Sequence, residues 1–392
     1  MKESRQVKSH PADKLKFATK LTDEDREQIM GLYREVWGEK KSAGMDRIYE
    51  WKFESGPFMP PDRLQVLLYR AGGRIVAHLG GIPCLFKYGD RYQPTVWIMD
   101  FLSHPSYRGK GLWLANKMVL DNAAVVGVAG EEIRMDMWRM IAKRFKRPHS
   151  DLGTYRHLVK KVDIAGSGIA QRVLRLKPLI GLANGLWRGY HRLFKHWRLD
   201  LEGAGLEIKE VDRFGEEINR LWELVKDDFV IIPKRTDAYL NWRFVEHPTN
   251  RYFRFLLYRG EEIRGYLVLR LIERKGEKIG RIVDLLASRK GEEYYRGLIS
   301  FALDFFEERA VETVQAFEST CPELSRALKR NGFSHRLTSQ RPMKMQAWQS
   351  PMRKGAGREQ DEIPPELFHD PKNWYFTYAD SDFEMLPPEH TA

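Results

Sequence analysis

The chain repeats itself, and this limits the folds open to it more than any other feature of its sequence. Trp51-Lys52-Phe53, followed by Pro57, returns 191 residues later as Trp242-Arg243-Phe244, followed by Pro248. Leu67-Leu68-Tyr69-Arg70, with Gly72-Gly73 and Ile75, returns as Leu256-Leu257-Tyr258-Arg259, with Gly260 and Ile263. Trp97-Ile98-Met99-Asp100-Phe101-Leu102 then matches Arg281-Ile282-Val283-Asp284-Leu285-Leu286. Three blocks in one order, drifting only as loops of unequal length would make them, describe a duplicated unit, so the 392 residues divide into two domains of one architecture.

Each copy opens on a polar helix (Thr22 to Trp37; Asp212 to Lys226). Two apolar strands follow (Leu64 to Tyr69 and Arg74 to Leu79; Arg254 to Tyr258 and Ile263 to Leu271), then a third strand carrying the shared Asp. Next come a helix (Leu112 to Val125; Tyr294 to Arg309), a short strand (Ile133 to Met137; Thr313 to Phe317), another helix and a last strand (Tyr155 to Val162; Met343 to Ala347). The expected class is α/β, of the α+β mixed-sheet kind. The divisions are 15–163, a connector 164–204 bounded by glycines, 205–348, and a tail 349–392.

With 42% apolar and 31% charged residues, the chain can fill two cores and is not a disordered one. Its longest stretch without Lys, Arg, Asp or Glu, Ile75 to Phe86, is broken by Gly80, Gly81 and Pro83 and falls short of the ~20 residues a membrane-spanning helix needs. The start is polar and Lys-rich without an apolar signal core, and two cysteines make no disulfide framework, so a cytoplasmic protein is expected. The net charge of +12 suits an anionic ligand, but no recognition motif points to nucleic acid. No His or Cys cluster has metal-ligand spacing, and neither a Walker loop nor a serine nucleophile elbow occurs; no metal is expected.

One segment carries chemistry. His104-Pro105-Ser106-Tyr107-Arg108-Gly109-Lys110-Gly111-Leu112-Trp113 joins the Asp100 strand to the next helix. A glycine-rich turn between a strand and a helix aims consecutive backbone N–H groups into one concavity, and the helix start adds partial positive charge, so a pyrophosphate is held with few side chains. Arg108 and Lys110 strengthen that field.

This passage resembles the acyl-CoA-binding motif of the GNAT superfamily of acyl-CoA N-acyltransferases, in which an Arg or Gln is followed after two residues by Gly and, after one residue more, by Gly or Ala. Arg108 and Gly111 match it. Ala327-Leu328-Lys329-Arg330-Asn331-Gly332-Phe333 is similar to the family's closing helix and Gly-Phe turn. The resemblance covers roughly residues 15 to 162 and 205 to 348. It implies a tandem GNAT protein that transfers an acyl group, acetyl above all, from acetyl-CoA or another acyl-CoA to an amine. The cofactor would lie on Leu102, Ser103, Arg108, Gly109, Lys110, Gly111, Leu112 and Trp113. Trp113 stands where the family has a small residue and would crowd the pyrophosphate. In the second copy, Ser288 to Gly297 lacks the spacing and places Glu292 and Glu293 where phosphates would lie, which implies a degenerate unit. The family's tyrosine acid would align near Phe145 and at Leu328, neither of which donates a proton.

Asp100 and His104 are the candidate catalytic residues, with a structural role for Asp100 suggested by its counterpart Asp284. His78 and the tryptophans Trp51, Trp97, Trp113 and Trp138 read as packing more readily than as ligand contacts. Between Ile164 and Leu199 seven Lys or Arg (Arg172, Arg175, Lys177, Arg188, Arg192, Lys195 and Arg198) alternate with Leu, Trp and Tyr without an acid. Such a segment either packs between the units or lies on an anionic membrane surface. The second option would place the protein at the inner face of a membrane, as an acyl or aminoacyl transferase acting on a cell-envelope or polysaccharide precursor. A non-catalytic GNAT-fold binding protein is the alternative if Trp113 closes the pocket. From Arg358 onward nine acids oppose two basic residues, so the tail is expected to dock on the basic body; Asp380 and Asp382 within it give a weak cation motif.

Overall fold

The computed structural model describes residues 15–107, 109–129, 143, 149–161, 197–274, 276–337, 343–349, 363–380 and 384–386. Its strands form two mixed sheets. The first has the order β1 (Val66–Ala71), β2 (Arg74–Tyr88), β3 (Arg91–Ser103), β4 (Ala124–Ala129), β13 (Met343–Gln349) and β5 (His149–Tyr155), with β8 (Ile231–Pro233) also on β2. The second runs β6 (His157–Lys161), β12 (Thr313–Phe317), β11 (Glu277–Ala287), β10 (Glu262–Arg274), β9 (Phe253–Arg259) and β7 (Glu207–Glu210).

Local chemistry places these elements. A reciprocal Thr22–Asp25 capping box starts α1 (Asp23–Trp37). Gly72 and Gly73, both at positive φ, make the two-residue turn whose twist suits the β1–β2 hairpin. After the short α2 (Glu39–Ser42), the repeated Trp-Lys/Arg-Phe motifs close α3 (Met45–Phe53) and, following α5 (Glu216–Val225), α6 (Asp237–Phe244). Trp51 and Trp242 stack with centroids 5.0 Å apart. Each indole N–H donates to the other's carbonyl, at 2.9 and 3.3 Å, so the repeated block forms a pseudo-twofold contact between the halves.

Two expectations are corrected. The helix read as Leu112 to Val125 is α4 (Lys110–Asp121). The strand parallel to β3 is β4, Ala124–Ala129, whereas Ile133 to Met137 lies outside the described residues. Asn122 ends the helix by donating to the Met118 carbonyl, and the β-branched Val125 and Val126 favour the extended chain that follows. The last strands are also exchanged. β13, from the second half, lies between β4 and β5 in the first sheet, while β6, from the first half, pairs antiparallel with β12 in the second. β5 and β6, separated only by Arg156, carry the chain from one sheet to the other. One large core spans both halves, and a smaller one lies under α4.

Candidate active site

In both halves the Asp-bearing strand leaves its parallel neighbour. The β3–β4 ladder stops at Ile98 opposite Gly127, although β3 runs on to Ser103 and β4 to Ala129; the β11–β12 ladder covers only Ile279 to Arg281 opposite Thr313 to Gln315. A bulge lies beside each Asp, where two steps along β2 (His78 to Gly80) face three along β3 (Leu102 to Met99), and Val268 to Leu269 face Asp284 to Ile282. Among the described residues, each splay leaves one edge of the Asp-bearing strand without a strand partner. The two clefts differ in what borders and fills them.

The first cleft leads to the glycine turn. Gly109, at φ +91°, takes a backbone conformation that costs other residues energy, and α4 starts there without a side-chain cap among the described residues. Gly111 lies against β3; a Cβ there would come within 2.6 Å of the Phe101 ring, so only glycine lets the helix start sit this close. Of the other cofactor candidates, Leu102 is buried, the Ser103 hydroxyl donates to the Tyr107 carbonyl, Lys110 lies 5.4 Å from the centre of the Tyr69 ring, and Leu112 and Trp113 are half-buried on the first turn of α4. Arg108, Phe145 and Trp138 lie outside the described residues.

Asp100 is buried at the bulge with φ +50°, a conformation worth about 1–3 kcal/mol of strain in a non-glycine residue. Its carboxylate is 2.7 Å from the Lys52 ammonium and accepts the Tyr33 hydroxyl at 2.7 Å; the Lys52 and Asp100 side chains are 0% and 2% exposed. Burial raises the Asp100 pKa, but Lys52, with the Tyr33 hydrogen bond and the nearby His78, holds the carboxyl below its usual range. Its main-chain carbonyl accepts from His78 Nδ1 at 2.9 Å. That fixes the proton on Nδ1 and leaves Nε2 to accept from the Tyr49 hydroxyl, also at 2.9 Å. Burial pushes the His78 pKa down to about 4, so the ring is neutral. His104 sits away from this cluster. Its Nδ1 accepts the Ser106 N–H at 3.1 Å, so in the neutral ring Nε2 carries the proton, 3.7 Å from Glu35. The Lys52 and Tyr33 bonds both fall on Oδ2 of Asp100, while Nδ1 of His104 is taken by the Ser106 N–H.

In the second half α7 (Glu292–Glu308) starts after Gly291, and its first turn supplies its own anions. Glu292 pairs with Arg326 and Arg330, and Glu293 with Arg259; Arg289 is held by Glu323 and by the Asp228 carbonyl. The tail fills the cleft. Tyr375 donates to the Leu285 carbonyl at 2.5 Å and Thr377 to the Asp284 carboxylate at 2.8 Å, leaving a void of about 10 Å³ beside Phe376, room for no more than one water. Arg235 lies 3.2 Å from Asp284 and bonds both Asp380 oxygens at 2.8 and 2.7 Å, while Glu384 pairs with Arg270 and Arg281. Burial and the neighbouring Asp380 push Asp284 above the usual carboxylate range. Asp380 is thus an ion-pair partner of Arg235, and Asp382 lies outside the described residues. Among those residues no group of three His, Cys, Asp or Glu side chains could hold a metal ion.

Sequence reasoning missed Lys52, Tyr33 and Tyr49. The signal for Lys52 was present in the cation repeated between Trp and Phe. Of the connector, residues 164–196 lie outside the described residues; Arg198 is paired with Asp304 and Glu307 and so packs against α7. No described helix is long and apolar enough to cross a membrane.

This architecture has solved counterparts. A GCN5-related N-acetyltransferase from Anabaena variabilis ATCC 29413 matches 85% of the chain and 72% of its own at 13% identity, with a TM-score of 0.53. An N-myristoyltransferase from Saccharomyces cerevisiae, solved with myristoyl-CoA and inhibitors, matches 94% of the chain and 90% of its own at 11% identity and TM-score 0.54. A second GCN5-related N-acetyltransferase, from Kribbella flavida, matches 84% and 70% at 13% identity and TM-score 0.51. No protein-family model and no curated protein matches the sequence. The chain has the GNAT-superfamily fold, a mixed α/β architecture.

Proposed function

We propose that the chain is an acyl-CoA-dependent N-acyltransferase, with acetyl-CoA as the favoured donor and an amine, on a small molecule or a glycan precursor, as acceptor. One observation supports it most directly: strand splay, bulge and uncapped glycine-rich helix start coincide in the first half, while the second half fills the matching cleft with its own tail and borders it with carboxylates. The α4 N–H groups, with Arg108 and Lys110, bind the pyrophosphate; the free edge of β3 polarises the thioester carbonyl. The amine nitrogen bonds to the carbonyl carbon, the C–S bond breaks, and the proton that the amine nitrogen gives up ends on the CoA thiolate. The second half and tail form the wall on which the acceptor rests.

The test is titration calorimetry with acetyl-CoA. The parent should bind, Arg108→Glu and Gly111→Val should not, and Arg289→Gln should bind as the parent does. Binding that survives Arg108→Glu and Gly111→Val would place the cofactor elsewhere.

A further inference from the structure

Lys52 belongs to a repeated motif, yet the binding and transfer steps above do not use it. Its two copies have diverged. Arg243, its counterpart, donates to the Ala379 carbonyl of the tail at 3.0 Å, and Asp284 is paired instead with Arg235. Only in the first half does the motif's cation hold the Asp of its own bulge, and only there is that Asp at positive φ, since Asp100 and Ala310 are the non-glycine residues with this backbone among those described. Three elements converge on Asp100. Lys52 of α3 and Tyr33 of α1 hold its carboxylate, and His78 of β2, itself held by Tyr49, holds its carbonyl. A strained conformation fixed from both ends of one residue, at the point where β3 leaves β4, is a way to fix the direction of the peptide groups that follow.

We infer that Lys52, with Tyr33 and His78, is a positioning residue for acyl transfer: it holds the Asp100 bulge so that the free edge of β3 polarises the thioester carbonyl. The inference rests on the function proposed above. It assigns Asp100 the part of an anchor that does not move protons, consistent with its burial and its ion pair.

The experiment reads the carbonyl itself and needs no acceptor. Acetyl-CoA labelled with ¹³C at the thioester carbonyl is bound to the full-length protein, and its stretching band is recorded by isotope-edited infrared difference spectroscopy, with affinity measured by calorimetry. In the parent the band should move to lower wavenumber than in free acetyl-CoA. In Lys52→Met/Asp100→Asn, which removes both charges together, affinity should persist while the shift is lost; Lys52→Arg should keep it. Tyr33→Phe, which removes one hydrogen bond and leaves the ion pair, should reduce the shift and decides the matter if the double variant does not fold. A full shift in the folded double variant, or in Tyr33→Phe where that one decides, overturns the inference and leaves the proposed function standing. A parent that does not bind acetyl-CoA overturns both.

Discussion

The two halves share strands, bulge and Asp, but they neutralise the buried carboxylate differently. Asp100 meets a lysine from its own half, which holds it ionised, and the cleft beside it leads to a helix start without a side-chain cap among the described residues. Asp284 shares Arg235 with Asp380 from the tail, and the cleft beside it is filled by that tail. The bulge is thus present in both halves, while what borders and fills the cleft beside it differs. At the register position two residues from each Asp stands Leu102 or Leu286, opposite His78 or Tyr266; only the first half carries an imidazole there.

The sharpest break between the halves should come from removing each carboxylate charge. Asp100→Asn leaves Lys52 buried without an anion and should cost about 3–5 kcal/mol in denaturant unfolding. Asp284→Asn leaves Arg235 its two bonds to Asp380 and should cost about 1 kcal/mol. Equal costs would show that the two ion-pair arrangements are interchangeable.

Acid should expose the same asymmetry. The folded pKa of His78 lies near 4, below its ordinary 6.5, so between these values the unfolded state binds more protons and stability falls as pH falls. His157, near 4, and His247, near 3, act in the same direction, and each histidine contributes at most about 1.4 kcal/mol per pH unit. Unfolding free energy measured from pH 7 to 4 should therefore decline steeply. His78→Gln should flatten the decline, whereas Tyr266→Phe should leave its slope unchanged. A parent slope unaffected by His78→Gln would mean that the ring is not neutral in the folded protein.

A smaller effect tests where the halves agree. Trp51→Phe and Trp242→Phe each remove an indole N–H that donates across the pseudo-twofold contact, and each should cost about 1 kcal/mol, within error of the other. Clearly unequal costs would show that the symmetry is one of shape and not of energy.

Much of this was written in the sequence because repeated local patterns are local physics. The order of elements, the matched Asp residues and the glycine turn each rest on alternation or on backbone requirements readable over a few residues. The exchange of β6 and β13 was not legible, since a strand's apolar alternation says which faces it buries and not which sheet receives it. Lys52 was hidden for a related reason. A lysine between Trp and Phe on a short helix reads as a solvated charge, and only the fold brings Asp100, 48 residues on, to its ammonium. The tail's acidity gave its docking, but its insertion into the second cleft depends on Tyr375 and Thr377 reaching Leu285 and Asp284, a match of shape that no composition records.

The smallest expected effect is the one that separates charge from occupancy. Glu292 and Glu293 would repel a pyrophosphate at the start of α7, and removing them is the obvious way to offer it a place in the second half. Glu292→Gln/Glu293→Gln breaks exposed ion pairs with Arg326, Arg330 and Arg259, so stability should change by no more than about 1 kcal/mol. It should nevertheless create no second acetyl-CoA site, because Tyr375, Phe376 and Thr377 still fill the space between β11 and β12. Calorimetry should return the parent's stoichiometry. A second equivalent of acetyl-CoA bound by this variant would mean that the tail leaves the cleft readily and that the carboxylates alone had kept the second half closed.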